Sequence, residues 1–203
     1  MQAPSPSLIA ENLACRRGER LLFRRLSFRL EAGAACHVTG ANGAGKTTLI
    51  RALAGLTTPY AGSVRREGAL ALLDERTGLD PDLPLGRALA FWFALDGADE
   101  AEAIMARMRL DTLAEVPVRY LSTGQKKRAA LARVLGQAAP VWLLDEPLSG
   151  LDTASQGLVS ALLREHCGNG GIALIASHQP LDVPGMKTFA IEDFAPAAQE
   201  EEA

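Results

Sequence analysis

Apolar positions along the chain follow two periods, and the switches between them outline a fold. Over residues 8–30, two short extended runs flank Arg16-Arg17-Gly18-Glu19-Arg20. That charged stretch with its glycine predicts a hairpin turn, so an antiparallel β patch opens the chain. Residues 34–39 predict a short, mostly apolar strand. Residues 46–54 then place Leu49, Ile50 and Leu53 at helical spacing, with Gly55 positioned to end the helix. Another strand is predicted over 69–73. Asp80-Pro81-Asp82-Leu83-Pro84 breaks the pattern before two helical stretches, around 85–95 and 99–110, so residues 81–136 predict a helical lobe. Residues 141–144 and 172–176 are continuous apolar runs, as parallel strands buried on both faces require. Between them Leu158, Val159, Leu162 and Leu163 share one side of a helix, and residues 189–191 offer a last strand. The expected architecture is a single α/β domain over 1–203, with a mostly parallel core sheet, an N-terminal antiparallel patch and a lobe at about 81–136.

Composition narrows the partners. A formal charge of -3 and a pI near 5.7 give no general pull toward a polyanion, so no nucleic-acid partner is expected. Cys15, Cys36 and Cys167 are far apart, without a CxxC or a histidine pair beside them, which supports neither a disulfide framework nor a zinc site. No basic stretch followed by an apolar core opens residues 1–7, and no apolar run approaches a bilayer span. A protein neither secreted nor membrane-spanning is expected. Gln199-Glu200-Glu201-Glu202 reads as a solvated acidic tail.

The chemistry concentrates in a few segments. Gly40-Ala41-Asn42-Gly43-Ala44-Gly45-Lys46-Thr47 matches the phosphate-binding loop pattern in full and lies between a predicted strand and helix, as that pattern requires. The glycines turn successive backbone N–H groups toward a phosphate chain, and the helix start adds its positive dipole end. Lys46 would neutralise the β and γ phosphates of ATP, Thr47 would hold Mg²⁺, and Thr48 extends the nucleotide-binding set. Asp145 and Glu146 end an apolar strand, at the sheet edge where nucleotides sit in doubly wound folds. Asp145 is the second candidate for Mg²⁺, and Glu146 the candidate base for the attacking water. Taken alone, an acid pair at a strand end is usually a solvated turn. Leu121-Ser122-Thr123-Gly124-Gln125 precedes an Ala/Leu-rich helix and puts Ser122 and Gly124 at a helix N-terminus, where Ser122 could simply be a cap.

With these motifs the segment 121–125 resembles the signature of ATP-binding cassette (ABC) proteins, in which this helix end contacts the γ phosphate of ATP held by the opposite subunit. Most members carry Gly where this chain has Thr123. Ser149-Gly150-Leu151-Asp152 resembles the family's dimer-interface loop, adding Asp152 to the nucleotide set, and His178 resembles its γ-phosphate switch histidine. His37 and His166 lack such company and read as structural. The resemblance implies an ABC-type P-loop NTPase that works as a homodimer with composite ATP sites.

Two departures stand out. No Gln or Asn lies between Lys46 and Gln125, so the family's Mg²⁺-sensing glutamine is replaced by Arg76 or Glu75. The usual adenine-stacking aromatic falls near Arg17, whose guanidinium plane could stack instead. Local matches at 15–18, 121–133, 142–147 and 177–181 are most similar to the ATPase of the Ccm-type haem exporter of cytochrome c biogenesis. That implies integral membrane subunits as partners and a peripheral place on the cytoplasmic face of the bacterial inner membrane. The apolar stretch 88–95 is either lobe core or an exposed docking patch. An exporter ATPase for another substrate, or a weakly catalytic nucleotide-gated clamp, are the alternatives.

Overall fold

The computed structural model describes residues 5–196, so the acidic tail falls outside the described residues. Strands β1 (Ser7–Arg17) and β2 (Arg20–Glu31) form the expected hairpin, with Gly18 at φ 60 in its turn. Their antiparallel sheet gains β4 (Ala61–Glu67) in the order β2-β1-β4. This strand escapes the apolar pattern because it lies at an edge and nearly every side chain in it is exposed.

The core is a five-stranded parallel sheet in the order β5-β6-β7-β3-β8, made by β3 (Ala35–Thr39), β5 (Leu70–Leu73), β6 (Val141–Asp145), β7 (Ile172–Ala176) and β8 (Lys187–Ala190). Every residue of β6 and β7 is buried, which explains their unbroken apolar runs. Alternation still decides where each side chain goes. Val141 and Leu143 join the core shared with the antiparallel sheet and α1 (Lys46–Leu53), whereas Trp142 and Leu144 join the core on the other face, with the lobe and α5 (Thr153–Gly168).

Between β5 and β6 lie α2 (Leu85–Asp96), α3 (Ala101–Arg107) and α4 (Thr123–Gly136), the helical lobe expected from the sequence. The apolar stretch in α2 divides by helical face. Ala88, Leu89 and Phe93 are buried, while Phe91 and Leu95 are 63% and 67% exposed, so core packing and an outward patch coexist on one helix.

The three cysteines are free and buried, and burial pushes the Cys15 and Cys36 thiols up to about 11. His37 is buried and donates from Nε2 to the Ser177 carbonyl at 3.0 Å. His166 stacks on Trp142 with ring centroids 3.8 Å apart and meets the Ile172 carbonyl at 3.2 Å from Nε2. Both histidines hold structure.

Candidate active site

The carboxyl ends of β3, β6 and β7 meet at one sheet edge, and each carries one piece of the chemistry. The loop after β3 turns through Gly40, Gly43 and Gly45 at φ 144, 82 and 115, backbone conformations that side chains rarely adopt. Gly45 is the N-cap of α1 and supplies no side-chain cap, so the first amides of that helix remain available for an anion. A cleft lined by Asn42, Gly43, Gly45, Lys46, Thr47, Thr48, Asp145 and Glu146 opens over these amides. Gly40 and Ala44 belong to the same loop but do not line that cleft; Ala44 lines a second one behind the loop.

Lys46 is almost wholly buried, and its Nζ donates to the Gly40 and Ala41 carbonyls at 2.7 and 3.1 Å. It also faces Glu146 Oε1 at 3.9 Å. Glu146 takes φ 47, unusual for a residue with a side chain, and its N–H donates to Ala176 at 2.8 Å. The turn ties the end of β6 to β7 and aims the carboxylate between Lys46 and His178. His178 Nδ1 lies 3.0 Å from Glu146 Oε2. A carboxylate only accepts, so Nδ1 carries the hydrogen and donates.

Asp145 is 3% exposed, and its Oδ1 has no hydrogen-bond partner within the protein. Burial raises its pKa, a hydrogen bond from Thr47 opposes that rise, and the Glu146 and Glu75 charges add to it. An orphaned buried carboxylate oxygen beside a threonine hydroxyl fits Mg²⁺, a hard cation with a taste for oxygen. Among the described residues no group of three or more His, Cys, Asp or Glu could form a metal cage.

The remaining expected residues lie elsewhere. Ser122 caps α4, accepting from the Gln125 N–H at 3.2 Å while Gln125 Oε1 accepts from the Ser122 N–H at 2.8 Å. Asp152 caps α5 through the Ser155 N–H at 2.7 Å. Gly124 abuts the 149–152 loop so closely that a Cβ would lie 2.7 Å from the Gly150 carbonyl oxygen, and the Thr123 methyl packs on Gly150. None of Ser122, Gly124, Asp152 or His178 lines the Lys46 cleft.

At the position of the missing glutamine, Glu75 lines the cleft and Arg76 does not; the Arg76 N–H donates to Asp74 Oδ1. Arg17 lines the cleft, as its sequence position implied, with Leu22 beside it. Lys127 interacts electrostatically with the same acids. Burial lowers its pKa, and the charges of Asp145, Glu146, Glu75 and Asp74 oppose that shift, so its ammonium acts as counter-charge to the acids. Within Lys126-Lys127-Arg128 no sequence signal separates this lysine from its neighbours.

The fold and this cleft define an ABC-type ATPase. Residues 23–149 match the ABC transporter family model. The chain is 54% identical over 189 residues to the cytochrome c biogenesis ATP-binding export protein CcmA of Novosphingobium aromaticivorans, covering 93% of this chain and 97% of that one. It is 50% identical over 188 residues to the protein of the same name from Zymomonas mobilis, covering 92% and 85%. Among solved structures, an ABC transporter ATP-binding protein from Pyrococcus furiosus superposes with a TM-score of 0.81 at 20% identity, covering 94% of this chain and all of that one. A dimeric bacterial ABC transporter cassette gives 0.75 at 19% identity, covering 85% and 88%. These last two bear on fold alone. The chain belongs to the ABC transporter ATPases and, within them, to the CcmA family of cytochrome c biogenesis. Among the described residues no helix is long and apolar enough to cross a membrane.

Proposed function

We propose that this chain hydrolyses ATP to power a membrane complex that exports haem, or releases a haem-loaded chaperone, during cytochrome c maturation. The observation that carries the chemistry is Glu146, held at one sheet edge between the ammonium of Lys46 and the imidazole of His178. The CcmA relatives supply the biological task.

The loop amides and Lys46 bind the phosphate chain, with Lys46 held by two backbone carbonyls and its third N–H donating to phosphate oxygen. Thr47 and Asp145 would hold Mg²⁺, which would offset the negative charge of the phosphates. Glu146 orients and polarises water for in-line attack on the γ phosphate. His178 donates Nδ1–H to Glu146, so its Nε2 meets a phosphate oxygen as donor only when the ring is protonated or releases Glu146. That makes it a reporter of whether γ phosphate is present.

Ser122, Gly124 and Asp152 act across a homodimer, each α4 end facing the nucleotide of the opposite subunit. Closure then moves integral membrane subunits docked on the lobe, where Phe91 and Leu95 offer an exposed apolar patch. Such docking would hold the protein peripherally at the cytoplasmic face of the bacterial inner membrane.

The test is covalent c-type haem in membranes of cells whose only copy carries Lys46→Ala, with expression confirmed. Loss is expected. Normal c-type cytochromes would refute the haem assignment while leaving the ATPase in place.

A further inference from the structure

Behind the phosphate loop lies a carboxylate for which neither the loop pattern nor the hydrolysis chemistry has a use. Glu192 follows β8, whose Ala190 pairs with Thr39 at the end of β3. The turn Ile191–Phe194 is fixed by the fully buried Ile191 and by an edge-on contact of Phe194 with Phe189, centroids 5.7 Å apart. From this turn Glu192 Oε1 accepts the Ala41 N–H at 2.5 Å. A Cβ on Gly40 would lie 2.5 Å from Glu192 Oε2, so glycine at this position admits the carboxylate.

The contact falls on one peptide unit. Its N–H, on Ala41, points at Glu192, and its carbonyl, on Gly40, receives Lys46 Nζ at 2.7 Å on the other side. N–H and C=O point in opposite directions across a trans peptide, so fixing one aims the other. Ala41 does not line the Lys46 cleft; with Glu192 and Arg20 it lines an adjoining one, the two sharing Leu22, Asn42 and Gly43. Glu192 does not line the Lys46 cleft; it grips the loop at the Ala41 N–H.

We propose that Glu192 is a positioning residue for nucleotide binding, orienting the Gly40–Ala41 peptide so that its carbonyl keeps Lys46 at the mouth of the loop, in the bound state as in the free one, with the third ammonium donor turned to phosphate. The proposal rests on Lys46 being the phosphate ligand. It competes with a plainer view in which Glu192 is a surface negative charge near an anion site. The two views predict opposite signs, because deleting a mere charge would strengthen binding of an anion, whereas deleting an anchor would weaken it.

The experiment measures affinity of the purified full chain for a fluorescent ATP analogue with Mg²⁺, together with steady-state kinetics. Glu192→Ala is expected to weaken binding about fivefold, the worth of one hydrogen bond, and to raise KM by the same factor with kcat within about twofold. Glu192→Gln, which keeps a carbonyl acceptor, is expected to stay within about twofold of wild type. In an Ala41→Pro background, which has no N–H to grip, Glu192→Ala should add no further weakening. Unchanged or tighter binding by Glu192→Ala overturns the proposal. So does equal weakening by both Glu192 variants, or an effect that survives in Ala41→Pro. Lys46→Ala is the separate control, since full affinity in that variant would overturn the phosphate-loop assignment itself.

Discussion

Replacing Glu146 by Gln separates the chemistry of the cleft from its affinity. The substitution conserves volume and removes one negative charge. Lys46 donates its two hydrogen bonds to the Gly40 and Ala41 carbonyls at 2.7 and 3.1 Å, whereas Glu146 lies at 3.9 Å, so the lysine keeps its anchor. At 3.9 Å the Coulomb attraction is about 4 kcal/mol for an effective dielectric of 20. Glu146 is 27% exposed, which screens that to about 1 kcal/mol. Losing this term loosens Lys46, while losing a negative charge beside the γ phosphate favours the nucleotide. The two offset, and affinity for ATP is expected to stay within about tenfold of wild type. Turnover has no such compensation. A positioned general base contributes about 10²–10⁴-fold, or about 3–5 kcal/mol of barrier, and an amide cannot accept the proton of the attacking water. Phosphate release and equilibrium binding measured on the same preparation give both numbers. A fall in kcat of less than tenfold, or a loss of affinity exceeding the loss of turnover, would refute Glu146 as the base.

Gly124→Ala drives a Cβ to 2.7 Å from a backbone oxygen that has no rotamer to escape with, so the 149–152 loop must shift at a cost of about 1–3 kcal/mol. ATP binding by the isolated chain should stay within about twofold while hydrolysis falls at least tenfold; parallel loss of both would argue against a role across the dimer. Phe91→Asp with Leu95→Asp changes only exposed side chains and should leave the melting temperature within a few degrees while abolishing co-purification with membranes; retained membrane association would move the docking surface elsewhere. Burial lowers the His166 pKa below its unfolded value near 6.5, so the unfolded chain binds more protons there and stability falls as pH drops through 6.5. The melting temperature should therefore decline less between pH 7.5 and 5.5 in His166→Gln than in wild type; identical declines would place the acid sensitivity in another group.

What could be read from residues alone follows burial and pattern. The strands β6 and β7 were legible because every position in them is buried, and the phosphate loop because its glycines, Lys46 and Thr47 form a local motif. By contrast, β4 was not legible: Ala61–Glu67 is exposed along an edge, and its pairing with β1 rests on backbone hydrogen bonds that leave no apolar trace. Lys127 and Glu192 were missed for a different reason. Each acts through a partner distant in sequence, Asp145 and Ala41 respectively, and one chain without its fold carries no sign of such pairs. At the absent glutamine, placement left Glu75 and Arg76 open, and the turn after β5 selects Glu75 for the cleft.

The two helix ends assigned to phosphate differ in a way that orders the cycle. The first amides of α1 have no side-chain cap and face an open cleft, so they can take nucleotide without giving anything up. The start of α4 is already satisfied by the reciprocal bonds of Ser122 and Gln125, and any phosphate from a second subunit must share or displace that cap. Displacing a cap costs about 1 kcal/mol, small beside the charge-assisted bonds an ATP phosphate offers, and closure on an empty loop would gain none of those bonds. Under the composite site proposed above, binding at α1 would precede closure at α4, and hydrolysis would wait on both. An ATPase coupled to a membrane complex needs that order, because closure before loading would drive the membrane subunits without spending ATP.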